Sequence, residues 1–132
     1  KANEIAPGKR MLSSMAPTMV FRGKELYLIL GTPGGSTIIT SVAQVLINIL
    51  DFCMSPEEAL VLPRYHHQYL PDIIYHEEGA FSDELKLKLE NRGHKLKKRS
   101  PIGDVQLIMK KNDTACGYSD HRLPGSAGSV GN

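Results

Sequence analysis

The chain has 132 residues, a length that fits one domain, with 41% hydrophobic and 23% charged residues. Sixteen Lys and Arg against fourteen Asp and Glu leave a formal charge of +2, too small to argue for a nucleic-acid partner. No apolar stretch reaches membrane-spanning length, because Ser41, Gln44 and Asn48 interrupt the longest one. The opening Lys1-Ala2-Asn3-Glu4 is polar and does not read as a signal peptide. Residues 1–17 read as an irregular entry strap punctuated by Pro and Gly. Thr18 to Phe21 and Glu25 to Leu30 read as strands joined by the tight turn Arg22-Gly23-Lys24, which predicts a hairpin. The second strand is nearly continuous in apolar residues, so burial on both faces is expected.

Gly31-Thr32-Pro33-Gly34-Gly35-Ser36 then joins that strand to a helical pattern from Ile38 to Leu50. Apolar residues at i, i+3 and i+4 spacing continue to Cys53, and Ala43 and Ile47 widen the stripe, so a helix covered on most sides is expected. On that extrapolation Cys53 is a buried thiol. Cys53 and Cys116 can pair or stay free, and they form no C-x-x-C or zinc spacing. Ser55-Pro56-Glu57-Glu58 is a helix start with Ser55 as cap and Glu58 closing a capping box. That short helix is expected to end near Leu62-Pro63.

Ile73 to His76 reads as a strand. Ser82 and Gly93 bracket a helix, although Leu85, Leu87 and Leu89 alternate as in a strand. His94 to Arg99, Val105 to Lys110 and Thr114 to Ser119 read as strands, and the basic run from Lys95 to Arg99 reads as a solvated edge. The order predicts a layered α+β domain whose sheet extends beyond this chain.

Glycines at a strand-to-helix junction leave backbone N–H groups free near a helix start, and such a place suits an anion or a transient oxyanion. Gly34 and Gly35 are therefore candidates for an oxyanion hole, against the plainer reading of a turn that needs glycine for geometry. A nucleotide P-loop does not fit, because Ser36-Thr37-Ile38 follows instead of Gly-Lys-Ser/Thr. Ser13 and Ser14 offer two hydroxyl donors for a carboxylate if the chain bends there, against a polar loop or cap. His66 and His67 read as hydrogen-bonded loop imidazoles rather than metal ligands. Glu77-Glu78 reads as a solvated pair, and Asp120 with Arg122 as an ion pair that pins the tail.

Several stretches, taken in order, resemble the C-terminal part of the small subunit of the γ-glutamyltranspeptidase family. They are Pro7-Gly8-Lys9-Arg10 with Leu12-Ser13-Ser14-Met15-Ala16-Pro17-Thr18, and Gly31-Thr32-Pro33-Gly34-Gly35-Ser36 with Ile38-Ile39-Thr40. Pro63-Arg64-Tyr65-His66-His67-Gln68, Leu70-Pro71-Asp72, Arg92-Gly93-His94, Asp120, Arg122 and Pro124-Gly125 complete the set. The resemblance implies part of an N-terminal-nucleophile hydrolase fold, a four-layer αββα sandwich, with residues 1–132 forming an incomplete small-subunit domain. It implies a self-cleaving precursor (a zymogen) whose exposed threonine attacks the γ-glutamyl amide of glutathione and passes the glutamyl group to water, amino acids or peptides. That threonine is not in this chain, which alone is expected to be inactive. By the resemblance Ser13 and Ser14 bind the substrate α-carboxylate, and Gly34 and Gly35 form the oxyanion hole. No cofactor or metal is implied.

The partners implied are the large subunit, the rest of the small subunit and a γ-glutamyl compound, in a periplasmic or extracellular setting. Met11, Thr32, Thr37 and His121 depart from residues common in the family, and none is a proposed donor. Two rival readings share the fold: an acylase acting on cephalosporin side chains, and a non-catalytic scaffold that lacks the nucleophile.

Overall fold

The computed structural model describes residues 4–10, 16–111 and 114–123. Strands β1 (Thr18–Arg22) and β2 (Glu25–Gly31) form the expected hairpin, with Thr18 opposite Leu30 and a bulge between Val20 and Phe21. Strands β6 (Gln106–Lys111) and β7 (Thr114–Ser119) extend it into a four-stranded antiparallel sheet of order β1-β2-β6-β7.

Helix α1 (Ile38–Leu50) and the short helix α2 (Pro56–Val61) lie on one face of this sheet. Successive strand residues point to opposite faces. Leu28, Leu30 and Leu107 therefore meet Val42, Val45 and Ile49 of α1 and Ala59 and Leu60 of α2 in one buried core, closed by Val105. The hydrophobic effect across this interface holds the two layers together.

Burial of β2 on both faces is not what the structure shows. Leu28 and Leu30 are buried, but Ile29 on the opposite face is only half-buried. Its neighbours there, Met19, Phe21 and Ile108, are exposed. Helix α1 likewise covers the sheet with one stripe only: Ile39 is 72% exposed, and Ile47 and Leu50 also face outward.

The thiol of Cys53 is exposed, which corrects the expectation of burial. The helix stops at Leu50, where the amides of Asp51 and Phe52 both bond the Ile47 carbonyl, and Cys53 turns left-handed at φ +55°. The apolar periodicity ran past a stop that carries no glycine to announce it.

The cap on α2 forms as its residues dictate. Ser55 Oγ accepts from the Glu58 amide at 3.2 Å, and the Ser55 amide donates to Glu58 Oε2 at 2.9 Å. Ser55→Ala is expected to cost about 1 kcal/mol. A lowered midpoint in denaturant unfolding of the complete protein would show it.

A second, three-stranded sheet holds β3 (Tyr65–His66), β4 (Ile74–His76) and β5 (Leu96–Lys98) in that order. Helix α3 (Asp83–Asn91) is the crossover between the parallel strands β4 and β5. Ser82 Oγ caps it by accepting from the Leu85 amide, and Gly93 follows its end at φ +89°. The basic run lies on the exposed strand β5, where Lys98 pairs with Glu78. Among the described residues no helix is long and apolar enough to cross a membrane.

Candidate functional site

Strand β2 ends at Gly31, and a single 3₁₀ turn (Gly35–Thr37) leads from it into α1. Gly34 and Gly35 are exposed and adopt φ +137° and +58°, values that side chains rarely tolerate. At Gly34 a Cβ would also meet Thr37 Oγ1 at 2.5 Å, whereas at Gly35 the space is open. Both positions need glycine, but for different reasons.

The carbonyls of this turn are held by hydrogen bonds from its own threonines. Gly34 O accepts from the Thr37 amide at 3.2 Å and from the Thr37 hydroxyl at 3.0 Å. Pro33 O accepts from the Thr32 hydroxyl at 2.8 Å. The Pro33–Gly34 and Gly34–Gly35 peptides are trans. In a trans peptide the C=O and the following N–H point in opposite directions. The Gly34 and Gly35 N–H groups are thus turned away from the groups that hold Pro33 O and Gly34 O. Neither donates to another described residue. Two exposed N–H groups at a helix start can stabilise an oxyanion.

Further hydrogen bonds tie this turn to the second sheet. Thr40 Oγ1 donates to Thr37 O at 3.1 Å and lies 2.8 Å from His66 Nδ1. His66 Nε2 in turn meets Gln68 Oε1 at 3.0 Å, and His67 Nε2 meets Asp72 Oδ1 at 3.0 Å. Both imidazoles are hydrogen-bonded parts of the β3 region, as expected. Among the described residues no group of three or more His, Cys, Asp or Glu is placed to hold a metal.

Behind the turn lies a buried ionic cluster that the sequence revealed only in part. Asp120 and Arg122 do pair, at 2.9 Å. Arg64 joins Asp120 at 2.6 Å, with both side chains almost fully buried. Glu77, expected to be solvated, is instead 6% exposed, which corrects that reading. It receives the Arg122 guanidinium at 2.8 Å and the amides of Arg64 and Ile102, both at 2.8 Å. Arg122 also caps the carbonyls of Leu60 and Leu62 at the end of α2. Two cations and two anions balance, and a buried charge is tolerable only when so paired.

Burial alone would push the Glu77 and Asp120 carboxyls up. For Glu77 the hydrogen bonds from Arg122 and the amides of Arg64 and Ile102 outweigh it. For Asp120 the Arg64 charge and the Val105 amide do so, and both groups titrate below the usual carboxylate range. Arg64 was legible as a matched residue of the resemblance, but nothing local in the sequence distinguished Glu77 from its solvated neighbour Glu78.

Ser13 and Ser14, the candidate carboxylate donors, lie outside the described residues. The segment that follows them enters the sheet at Thr18, opposite Leu30. Ser14 precedes Thr18 by four residues and Gly34 follows Leu30 by four. The antiparallel register therefore puts Thr18 at the end of the hairpin from which the glycine turn departs.

The exposed strand-to-helix glycine turn on an α+β scaffold is the candidate site. The family model for γ-glutamyltranspeptidase matches residues 1–130. A glutathione hydrolase proenzyme of Escherichia coli is 44% identical over 122 residues, 92% of this chain and 21% of that protein. One from Pseudomonas aeruginosa is 47% identical over 116 residues, 81% of this chain and 20% of that protein. The γ-glutamyltranspeptidase of Pseudomonas nitroreducens, solved with L-DON, superposes with a TM-score of 0.85 at 42% identity, covering 100% of this chain and 69% of that one. The chain belongs to the γ-glutamyltranspeptidase family, and it spans only a small part of the length of the two proenzymes it matches.

Proposed function

We propose that this chain is the C-terminal portion of the small-subunit domain of a γ-glutamyltransferase that also acts as a glutathione hydrolase. The observation that carries the reading is the exposed Gly34–Gly35 turn, neither of whose N–H groups donates to another described residue. A threonine from elsewhere in the protein attacks the γ-glutamyl amide carbonyl. The negative charge that develops on the carbonyl oxygen is taken up by the two glycine amides. Collapse of the adduct breaks the C–N bond, the amine leaves with a proton, and a γ-glutamyl ester remains. Water or an amine then attacks that ester and regenerates the hydroxyl.

The remainder of the small subunit and the large subunit are the proposed partners. The apolar face of the sheet, with Met19, Phe21 and Ile108 exposed around the half-buried Ile29, supports this, because a second layer is needed to cover it. The proposed setting is periplasmic or extracellular. The cephalosporin acylase is the less favoured reading, because a hydroxyl pair suits an amino-acid α-carboxylate and both proenzyme relatives are named for glutathione. The scaffold reading is separated by the mass and first residue of each polypeptide in the purified protein: a processed N-terminal threonine marks the catalyst.

Turnover of glutathione and of L-γ-glutamyl-p-nitroanilide by the complete protein tests the activity. Replacing both Ser13 and Ser14 by alanine is expected to raise KM about a hundredfold or more, since each of the two hydrogen bonds to a charged group is worth about 1.5–3 kcal/mol. A smaller effect on kcat is expected. Unchanged KM in the double variant would remove the serine pair from the site.

A further inference from the structure

We propose that the hydroxyls of Thr32 and Thr37 are the positioning groups for the two oxyanion donors, one hydroxyl for each peptide plane. The inference rests on reading the Gly34–Gly35 turn as the oxyanion site, and it adds what aims that site. The Gly34 N–H belongs to the peptide whose carbonyl is Pro33 O, and that oxygen takes the Thr32 hydroxyl proton at 2.8 Å. The Gly35 N–H belongs to the peptide whose carbonyl is Gly34 O, and that oxygen takes the Thr37 hydroxyl proton at 3.0 Å. A peptide plane is rigid, so fixing its C=O fixes the direction of its N–H.

Each hydroxyl is itself fixed. Thr32 Oγ1 accepts from the Asp104 amide at 2.7 Å, so its proton is directed to Pro33 O. That amide reaches it because Gly103 passes close by at φ +73°. A Cβ on Gly103 would meet Ser41 Oγ at 2.6 Å and Thr32 Oγ1 at 3.1 Å. Thr37 is 1% exposed, and its hydroxyl lies under the turn. Oxyanion donors are effective when they are preorganised at the position the charge will occupy, so loss of either hydroxyl loosens aim rather than substrate affinity. Nothing local in the sequence marks either threonine for this role, since each looks like an ordinary residue of a turn or cap.

The test uses the complete, processed protein and L-γ-glutamyl-p-nitroanilide. Thr32→Val and Thr37→Val are expected to lower kcat about tenfold or more, short of the roughly 10²-fold cost of losing a donor outright, with KM changed by less than about threefold. Thr32→Ser and Thr37→Ser, which keep the hydroxyl, are expected to recover most of the loss. A glutamate analogue with a γ-boronic acid, which becomes a tetrahedral anion when bound to the nucleophile, is expected to lose affinity in step with kcat/KM in the valine variants. Glutamate, which forms no tetrahedral adduct, is expected to lose much less affinity than the boronate.

If one valine variant does not fold, the other tests the same claim with the same readouts. Wild-type kcat and boronate affinity in a folded valine variant would overturn the proposal, and so would equal losses in the serine variants. Gly35→Val separates the two levels. If it loses turnover while the valine variants at 32 and 37 keep theirs, only the positioning role fails. If Gly35→Val itself keeps turnover, the oxyanion reading fails and takes this inference with it.

Discussion

Gly35→Val in the complete protein is expected to lower kcat about 10²- to 10³-fold while leaving KM within a few-fold of wild type. Gly35 sits at φ +58°, where a β-branched residue is a genuine outlier. Apart from its own chain neighbours, no described atom lies within 4 Å of a Cβ built there, so the substitution acts through the backbone rather than by collision. The valine pulls its own φ out of the left-handed region and swings the Gly34–Gly35 peptide plane with it. That plane carries the N–H proposed to meet the oxyanion, and loss of one such donor typically costs this factor in rate. Gly35→Ala is the graded control, with strain of about 1–2 kcal/mol and no clash. Gly34 is the poorer probe, because a Cβ there strikes the Thr37 hydroxyl and disturbs the turn and the helix start together. Steady-state kinetics on the processed protein read both variants.

Glu77→Leu is expected to destabilise the fold by about 3–5 kcal/mol, the usual cost of stripping one partner from a buried ion cluster. The leucine leaves the Arg122 guanidinium with Asp120 alone among the carboxylates and removes the acceptor of two buried amides, those of Arg64 and Ile102. Chemical denaturation of the complete protein measures the loss.

The same cluster sets a pH dependence. Glu77 and Asp120 both titrate lower in the fold than in an unfolded chain. Their contribution is therefore fully present above the ordinary carboxylate range of about pH 4. It is lost as pH falls below that range and through the lowered folded values. Wild type is expected to show a melting temperature that drops on acidification below about pH 4, and Glu77→Gln a shallower drop. Identical acid profiles would show that Glu77 does not contribute to acid lability.

The elements with strong local chemistry were legible in the sequence. The Ser55 capping box, the Ser82 and Gly93 brackets of α3 and the β1–β2 hairpin all form where their residues indicate. What failed depended on an unannounced local stop or on distant packing. The helical stripe ran on to Cys53 because the stop at Leu50 is made by a left-handed cysteine and not by a glycine. Continuous apolarity in β2 reads as burial on both faces, yet only one face is covered among the described residues. The two-residue strand at Tyr65–His66 is too short to show a period. Glu77 is buried only because Arg64, Ile102 and Arg122 converge on it from three separate parts of the chain. At the candidate site, the Gly34–Gly35 turn was visible from its glycines. The hydroxyls that orient it became visible only once Asp104 was brought beside Thr32 by the fold.

A structure of the complete protein with glutamate bound tests the account most directly. The expected result places the γ-carboxyl group against the Gly34 and Gly35 amides and the α-carboxylate within hydrogen-bond reach of the Ser13 and Ser14 hydroxyls. Glutamate seated elsewhere, with all four residues remote from it, would contradict the account.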